Sequence, residues 1–213
     1  MNLLAMDTST DACSVALWVA DKLYLDHRVE PQQHAQLLLP MIDTLFKEAN
    51  ADVQELDAVV FGQGPGSFTG LRIAASCAAG VAFGANCGII AVSSLQALAQ
   101  GLFRDNGYEK VLVSFDARKG ETYWGTYAVD SKGLMQTVSA DALDTPENVV
   151  LPEGFVRADQ STAWPNAQDH ITLATPKALN GEWDTADKAL PIYLRDRVAL
   201  TEKERAAGDT LTS

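Results

Sequence analysis

Two short polar turns carry the residues whose types and spacing could do chemistry. DTSTDA (Asp7–Ala12) and DARKGE (Asp116–Glu121) each follow an apolar run that ends in an acid. Consecutive backbone N–H groups in such turns form concave nests that hold anions. An acid at the mouth can hold Mg²⁺ through water. A plainer chemistry is also open to them: each aspartate can accept the N–H two residues on and close its own turn. Neither turn is rich in the glycines that let a phosphate approach the backbone: DTSTDA has none and DARKGE only Gly120. A third stretch, GQGPGSFTGLRI (Gly62–Ile73), runs strand, glycine-rich turn, helix start, the order an anion site at a helix N-terminus requires. Gly64 and Gly66 fit the first two positions of G-x-G-x-x-G, but Gly70 falls one residue late and no Lys-Ser/Thr follows. Taken alone, this stretch is a weak anion-site signal.

The elements that must position these residues follow from periodicity. LLAMD (Leu3–Asp7), ACSVALWV (Ala12–Val19) and KLYLDHRV (Lys22–Val29) read as a three-stranded meander with a tight turn at Ala20-Asp21. Pro31–Asn50 reads as a helix with one apolar stripe, Leu37, Leu38, Met41, Ile42, Leu45 and Phe46. Pro31 suits its first turn, and Pro40 should kink it. DAVVFG (Asp57–Gly62) and GIIAV (Gly88–Val92) read as buried strands. The helix between them, Phe68–Gly84, is capped by Ser67, and a further helix starts at Ser93 or Ser94 and reaches Phe103. Buried strands alternating with helices imply an α/β fold with parallel strands and helices on the faces. After Asn106-Gly107 the meander pattern restarts over Lys110–Leu134, with Asp116 in the place of Asp7 and Val129-Asp130 in the place of Ala20-Asp21. The chain divides into a first lobe, 1–105, and a thinner second lobe, 106–213. Long loops are expected from Asp141 to Asp187, and the tail after Arg197 reads as unstructured.

Composition narrows the function classes. Sixteen Lys and Arg against 28 Asp and Glu give a net charge of −12 over 213 residues. Such a chain repels a phosphate backbone and should not hold RNA or DNA strongly alone. Three cysteines, Cys13, Cys77 and Cys87, sit in apolar context without C-x-x-C, which reads as buried thiols in a reducing cytosol. The N-terminus lacks a signal-peptide pattern, and the near-apolar run Ile73–Cys87 is short for a membrane span, so the chain reads as cytoplasmic. His27 lies in a strand and His170 in a loop-rich stretch, neither with a partner at metal-ligand spacing. His34, one turn before Leu37 and Leu38, reads as packing or interface. The Phe68–Gly84 helix is small almost all round and must be covered on more than one side. Its lone charge, Arg72, reads as bonding a partner or the carbonyls near Asp7. With the Leu37–Phe46 stripe, this helix could supply half of a helix bundle between chains.

Two lobes that each open with a hairpin whose first strand ends in Asp resemble the actin-like ATPase (ribonuclease H-like) fold. That resemblance implies hairpin turns that flank nucleotide phosphates, so that Asp7, Ser9, Asp116 and Arg118, with Gly64 and Gly66, would form a degenerate nucleotide cleft. More specifically, LAMDTSTDACSVAL, HAQLLLPMI, GQGPGSFTGLRI, AVSSLQALA, DARKGETYWG and IYLRD are similar to segments of the TsaB (YeaZ) family, bacterial tRNA threonylcarbamoyladenosine biosynthesis proteins. These pieces run from residue 3 to residue 196. The resemblance implies an actin-like fold with a reduced second lobe and no cofactor. It implies a non-catalytic scaffold for modification of the adenosine next to the tRNA anticodon, binding a TsaD-type transferase and, with it, a TsaE-type ATPase. Alone the chain would be a homodimer, and it would reach tRNA only indirectly. Where the TsaD-type sibling carries a metal-binding H-x-x-x-H, this chain has Ser94-Leu95-Gln96-Ala97-Leu98, so that metal chemistry is not expected. The family's dimer surface would be built by His34, Leu37, Leu38, Met41 and Leu45 of one helix with Phe68, Leu71, Arg72, Ala75 and Ala79 of the other. Two other activities compete: an independent actin-fold ATPase or kinase using Asp7 and Asp116, and a glycoprotease-like metallopeptidase.

Overall fold

The computed structural model describes residues 1–159 and 163–195. Strands β1 (Leu3–Asp7) and β2 (Ala12–Val19) are buried along almost their whole length because helices cover both faces of their sheet. The sheet has the order β3-β2-β1-β4-β5, with β3 spanning Lys22–Val29, β4 Ala58–Gly64 and β5 Gly88–Ser93. β1, β2 and β3 pair antiparallel, whereas β1, β4 and β5 run parallel. Alternation along β1 splits its side chains between two cores, as the period of two requires. Leu4 and Met6 meet helices α1 (His34–Ala49) and α2 (Phe68–Ala85) through Leu38, Met41, Leu45, Ala74 and Ala78. Leu3 and Ala5 meet helix α4 (Ala167–Leu179) through Ala167, Ile171 and Ala174.

A second sheet has the order β8-β7-β6-β9. β6 (Lys110–Arg118), β7 (Glu121–Val129) and β8 (Met135–Asp144) repeat the meander, and β9 (Val156–Asp159) pairs parallel with β6. Helix α3 (Ser94–Asn106) covers it, packing Leu95, Leu98 and Leu102 on Val111, Val113, Phe115 and Tyr127. The two-lobe actin-like architecture with a reduced second lobe is thus present. Its packing crosses the expected chain division at 105/106. The apolar stripe of α3 serves the second lobe, and α4, from the second half, closes the open face of the first sheet.

Other expectations need correction. α1 begins at His34 rather than Pro31. The Asp141–Asp187 stretch is not loop throughout: it holds the end of β8, then β9 and α4. Ala20 and Asp21 form a two-residue turn with φ of 50° and 57°. Their expected counterpart does not: Val129 still belongs to β7, and the turn runs to Leu134, whose carbonyl accepts the Asp130 N–H at 2.9 Å. The tail after Arg197 lies outside the described residues.

Helix α2 is long and apolar enough to cross a membrane by length and composition. It is instead the crossover between the adjacent parallel strands β4 and β5, and it buries Gly70, Leu71, Ala74, Ala75, Ala78, Ala82 and Ala85. The three cysteines are free thiols. Burial pushes Cys13 up to about 12 and Cys77 up to about 11, so both are uncharged packing residues at neutral pH.

Candidate functional site

The two hairpin turns face each other across a cleft of about 560 Å³. Its walls are Ser9–Asp11, the start of α1 at His34 and Ala35, the turn Gly66–Gly70, Phe115–Arg118, and Tyr123, Tyr193 and Arg195. Ser9, Gly66, Asp116 and Arg118 are therefore brought together as the sequence suggests. Asp7 and Gly64 do not line the cleft.

Asp7 sits behind it, 1% exposed. Its Oδ1 accepts from Ser9 N–H at 2.8 Å and from the Ser9 hydroxyl at 2.7 Å. Its Oδ2 accepts from Ser94 Oγ at 2.7 Å and from His170 Nε2 at 2.8 Å. A carboxylate has about four acceptor positions, and all are filled from within the chain. Burial alone would push this acid up. The His170 and Ser9 donors outweigh it and hold the carboxyl below the usual carboxylate range. An ionised carboxylate only accepts, so His170 carries its proton on Nε2. Its Nδ1 finds no partner among the described residues. Because Ser94 turns to Asp7, Ser93 is the helix cap, accepting Gln96 N–H at 3.2 Å.

Asp116 makes the same local turn and little else. Its Oδ1 accepts Arg118 N–H at 2.8 Å, and its Oδ2 pairs with Arg118 Nη1 at 3.2 Å, in the open. Both acids thus close turns onto the residue two positions on.

The glycine-rich turn packs against the first hairpin turn. Ser67 N–H donates to the Ser9 carbonyl at 2.7 Å, and Thr8 Oγ1 donates to the Gly70 carbonyl at 2.7 Å. A Cβ on Gly70 would lie 1.9 Å from the Thr8 carbonyl oxygen, and one on Gly62 would lie 1.9 Å from Asp7 Oδ2. Gly66 backs onto the Ser9 carbonyl, and Gly64 takes φ +107°. Gly62, Gly66 and Gly70 let the chain's own β1–β2 turn approach, as phosphate-binding glycines let a ligand approach, whereas Gly64 faces Leu71 and the Ile192 carbonyl. Ser67 caps α2 by accepting Gly70 N–H at 3.3 Å.

The residues expected at a partner surface divide sharply. Leu38, Met41, Leu45, Leu71, Ala75 and His34 are buried within this chain. An apolar stripe on α1 is its face toward the sheet, and sequence periodicity does not distinguish a sheet from a partner. Leu37 and Ala79 are half-buried, whereas Phe68 and Arg72 are exposed. His34 and Phe68 also line the cleft. The large apolar side chains standing out from these helices are Phe83, 83% exposed, and Leu39, 61% exposed. Arg72 bonds neither the carbonyls near Asp7 nor open water alone. Its guanidinium lies 3.8 Å from the Phe68 ring centre, and its Nε donates to Tyr193 Oη at 2.9 Å. His170, expected in a loop, lies on α4 and is fully buried. No spacing signal joins it to an acid 163 residues away.

A family model for TsaD, tRNA N6-adenosine threonylcarbamoyltransferase, matches residues 28–190. The tRNA threonylcarbamoyladenosine biosynthesis protein TsaB of Escherichia coli K12 is 34% identical, with 93% of this chain and 96% of that protein covered. The chain belongs to the TsaB family. The TsaB of Haemophilus influenzae is 32% identical over 93% of this chain and 95% of its own length. The structure of YeaZ from Pseudomonas aeruginosa is 38% identical, covers 91% of this chain and 99% of its own, and superposes with a TM-score of 0.86. A second structure of the same identity, coverage and TM-score is described as an uncharacterized protein with similarity to peptidase YEAZ. In this TsaB-family chain, the two positions where a TsaD-type sibling would carry histidines have other tasks. Ser94 donates to Asp7, and Leu98 is 1% exposed in the second-lobe core.

Proposed function

We propose that this chain serves tRNA threonylcarbamoyladenosine biosynthesis in the cytoplasm as a non-catalytic subunit. It binds a TsaD-type transferase and, with it, a TsaE-type ATPase, and pairs with itself when alone. The observation that carries the non-catalytic reading is Asp7: the acid best placed by the fold to hold a metal-bound water has its acceptor positions taken by Ser9, Ser94 and His170. The pathway follows from the names of relatives that match nearly the whole chain. A net charge of −12 leaves tRNA contact to the partner. The partner surface on this reading is the accessible side of α1 and α2, Leu39, Phe68, Arg72, Ala79 and Phe83, rather than the buried stripe.

The test is a reconstituted modification reaction read by mass spectrometry of tRNA nucleosides. Omitting this chain should abolish the product, and supplying it without the transferase should give none. Full modification without it overturns the reading. Light scattering locates the surface: Phe83→Glu should weaken both self-association and transferase binding about ten-fold or more, the loss typical of an aromatic anchor. Leu38→Glu would report only unfolding.

The cleft favours a second reading, an independent actin-fold ATPase or kinase. About 560 Å³ is within the range of small-molecule sites. Calorimetric titration with Mg²⁺-ATP separates the two: micromolar binding by the isolated chain, lost in Arg118→Ala, would favour the enzyme.

A further inference from the structure

Tyr193 and Arg195 of the late motif IYLRD belong to the cleft walls, and the chain leading to them crosses the molecule. At Trp183 the indole lies on Gly88, where a Cβ would come within 2.2 Å of the ring. Asp184 and Ile89 exchange backbone hydrogen bonds of 2.9 Å, anchoring the segment to the edge of the first sheet. Ala189 enters the first core. Ile192 N–H donates to the Gln63 carbonyl at 2.8 Å, just before the glycine turn. Tyr193 then stacks on Phe68, ring centres 5.3 Å apart, and accepts from Arg72. Finally Arg195 reaches the second lobe, pairing with Glu121 and donating to the Arg118 carbonyl at 3.4 Å. Tyr193 and Arg195 both line the cleft.

We propose that residues 183–195 are a two-point clasp over the cleft, with Tyr193 as its trigger. The first point is Tyr193 on Phe68 and Arg72 of α2. The second is Arg195 on the β6–β7 turn. Two residues of extended chain, about 7 Å, separate the points, so the strap has no slack to let one go without moving the other. Glu121 and Arg195 are mostly shielded, their side chains 14% and 15% exposed, so their pair is stronger than one in open water. Arg72 belongs at once to the strap and to the outer side of α2. A protein seated on that side must either keep or take the Tyr193 contact, and so tighten or free the second-lobe turn 118–121. This last step rests on the partner surface proposed above; the clasp itself does not.

Hydrogen–deuterium exchange on the full chain tests the clasp. In Tyr193→Phe, which keeps the ring contact and loses the bond to Arg72, the Ile192 amide and the amide of Glu121, paired with Arg118 across the β6–β7 turn, should exchange about five-fold faster. Glu121→Gln should accelerate Ile192 from the other end. Val60, central in β4, should be unchanged in both, as a check that the fold is intact. If each variant disturbs only its own end, the clasp is overturned. Adding a TsaD-type transferase then tests the trigger. Exchange at Glu121 should change in the wild type and stay unmoved in Tyr193→Ala. Binding that leaves Glu121 untouched in the wild type overturns the trigger. Binding indifferent to Phe83→Glu instead overturns the partner surface, and the clasp then stands or falls on Tyr193→Phe and Glu121→Gln alone.

Discussion

The turn after β1 and the turn after β6 begin alike and end as different devices. In each, an aspartate accepts the N–H two residues on, at 2.8 Å, although Asp7 ends β1 whereas β6 runs two residues past Asp116 to Arg118. Asp7 is then enclosed by Ser94 from α3 and His170 from α4, while Asp116 pairs with the neighbouring Arg118. The first turn is pressed against the glycine-rich turn before α2. In the second, a Cβ on Gly120 would meet nothing within 4 Å. The same local geometry thus becomes a structural hub where three segments converge and an open rim where they do not. Local sequence determines the turn; the elements arriving from elsewhere determine its role.

The contrast can be broken most forcefully at the acids. Asp7→Ala leaves buried donors from Ser9, Ser94 and His170 unpaired and should cost about 3–5 kcal/mol. Asp116→Ala should cost under about 1 kcal/mol. Urea unfolding of the two variants checks the ratio, and similar losses would erase the distinction. Next come the glycines. Gly70→Ala drives a methyl into the Thr8 carbonyl and should cost about 2–3 kcal/mol. Gly120→Ala, strained only by its φ of +77°, should cost about 1 kcal/mol.

A sharper comparison uses pH. The folded carboxyl of Asp7 is held below its unfolded value of about 3.9. Its contribution to stability is therefore complete above about pH 4 and is lost as pH falls through the lower folded value. The urea midpoints of wild type and Asp7→Asn should converge as pH drops below about 4. A gap that stays constant to about pH 2.5 would mean that Asp7 is not the ionised hub described. The smallest effect contrasts Thr8→Val, which loses one buried bond to Gly70 and should cost about 1 kcal/mol, with Lys119→Ala, which should change the midpoint hardly at all.

Much of the hub's scaffold can be read from the chain. β1, β2 and β3 have the boundaries that alternation and turn residues predict, and Ser67 caps α2 as its type suggests. The hub itself was not legible. His170 and Ser94 reach Asp7 from 163 and 87 residues away, and no local pattern encodes such a meeting. α4 did leave a trace: Asn166 as cap, then Ala167, Ile171, Ala174 and Ala178 at helical spacing. Small side chains and Pro176 obscure that stripe. The glycine turn is ambiguous for a physical reason. Close backbone approach needs glycine whether the approaching group is a phosphate or the chain's own carbonyl. The α1 stripe is ambiguous for a similar one, since Leu38 and Met41 would look the same facing a sheet or a partner.

The helix that completes the first sheet is made late. Until residue 179 has left the ribosome, Leu3, Ala5, Val60 and Ile90 have no cover on their side of the sheet. A nascent chain ending near residue 106 therefore displays an uncovered apolar sheet face and an α3 whose own sheet does not yet exist. Such a fragment should associate and invite chaperones rather than wait as a finished lobe. The dependence of early strands on a distant helix raises the contact order of the whole chain, and folding should be slow and all-or-none across both lobes. The practical consequence is for dissection. Cutting at the apparent lobe boundary parts α4 from the first sheet and α3 from the second while leaving the core under α1 and α2 nearly whole, and the first lobe can be isolated only by joining α4 back to it.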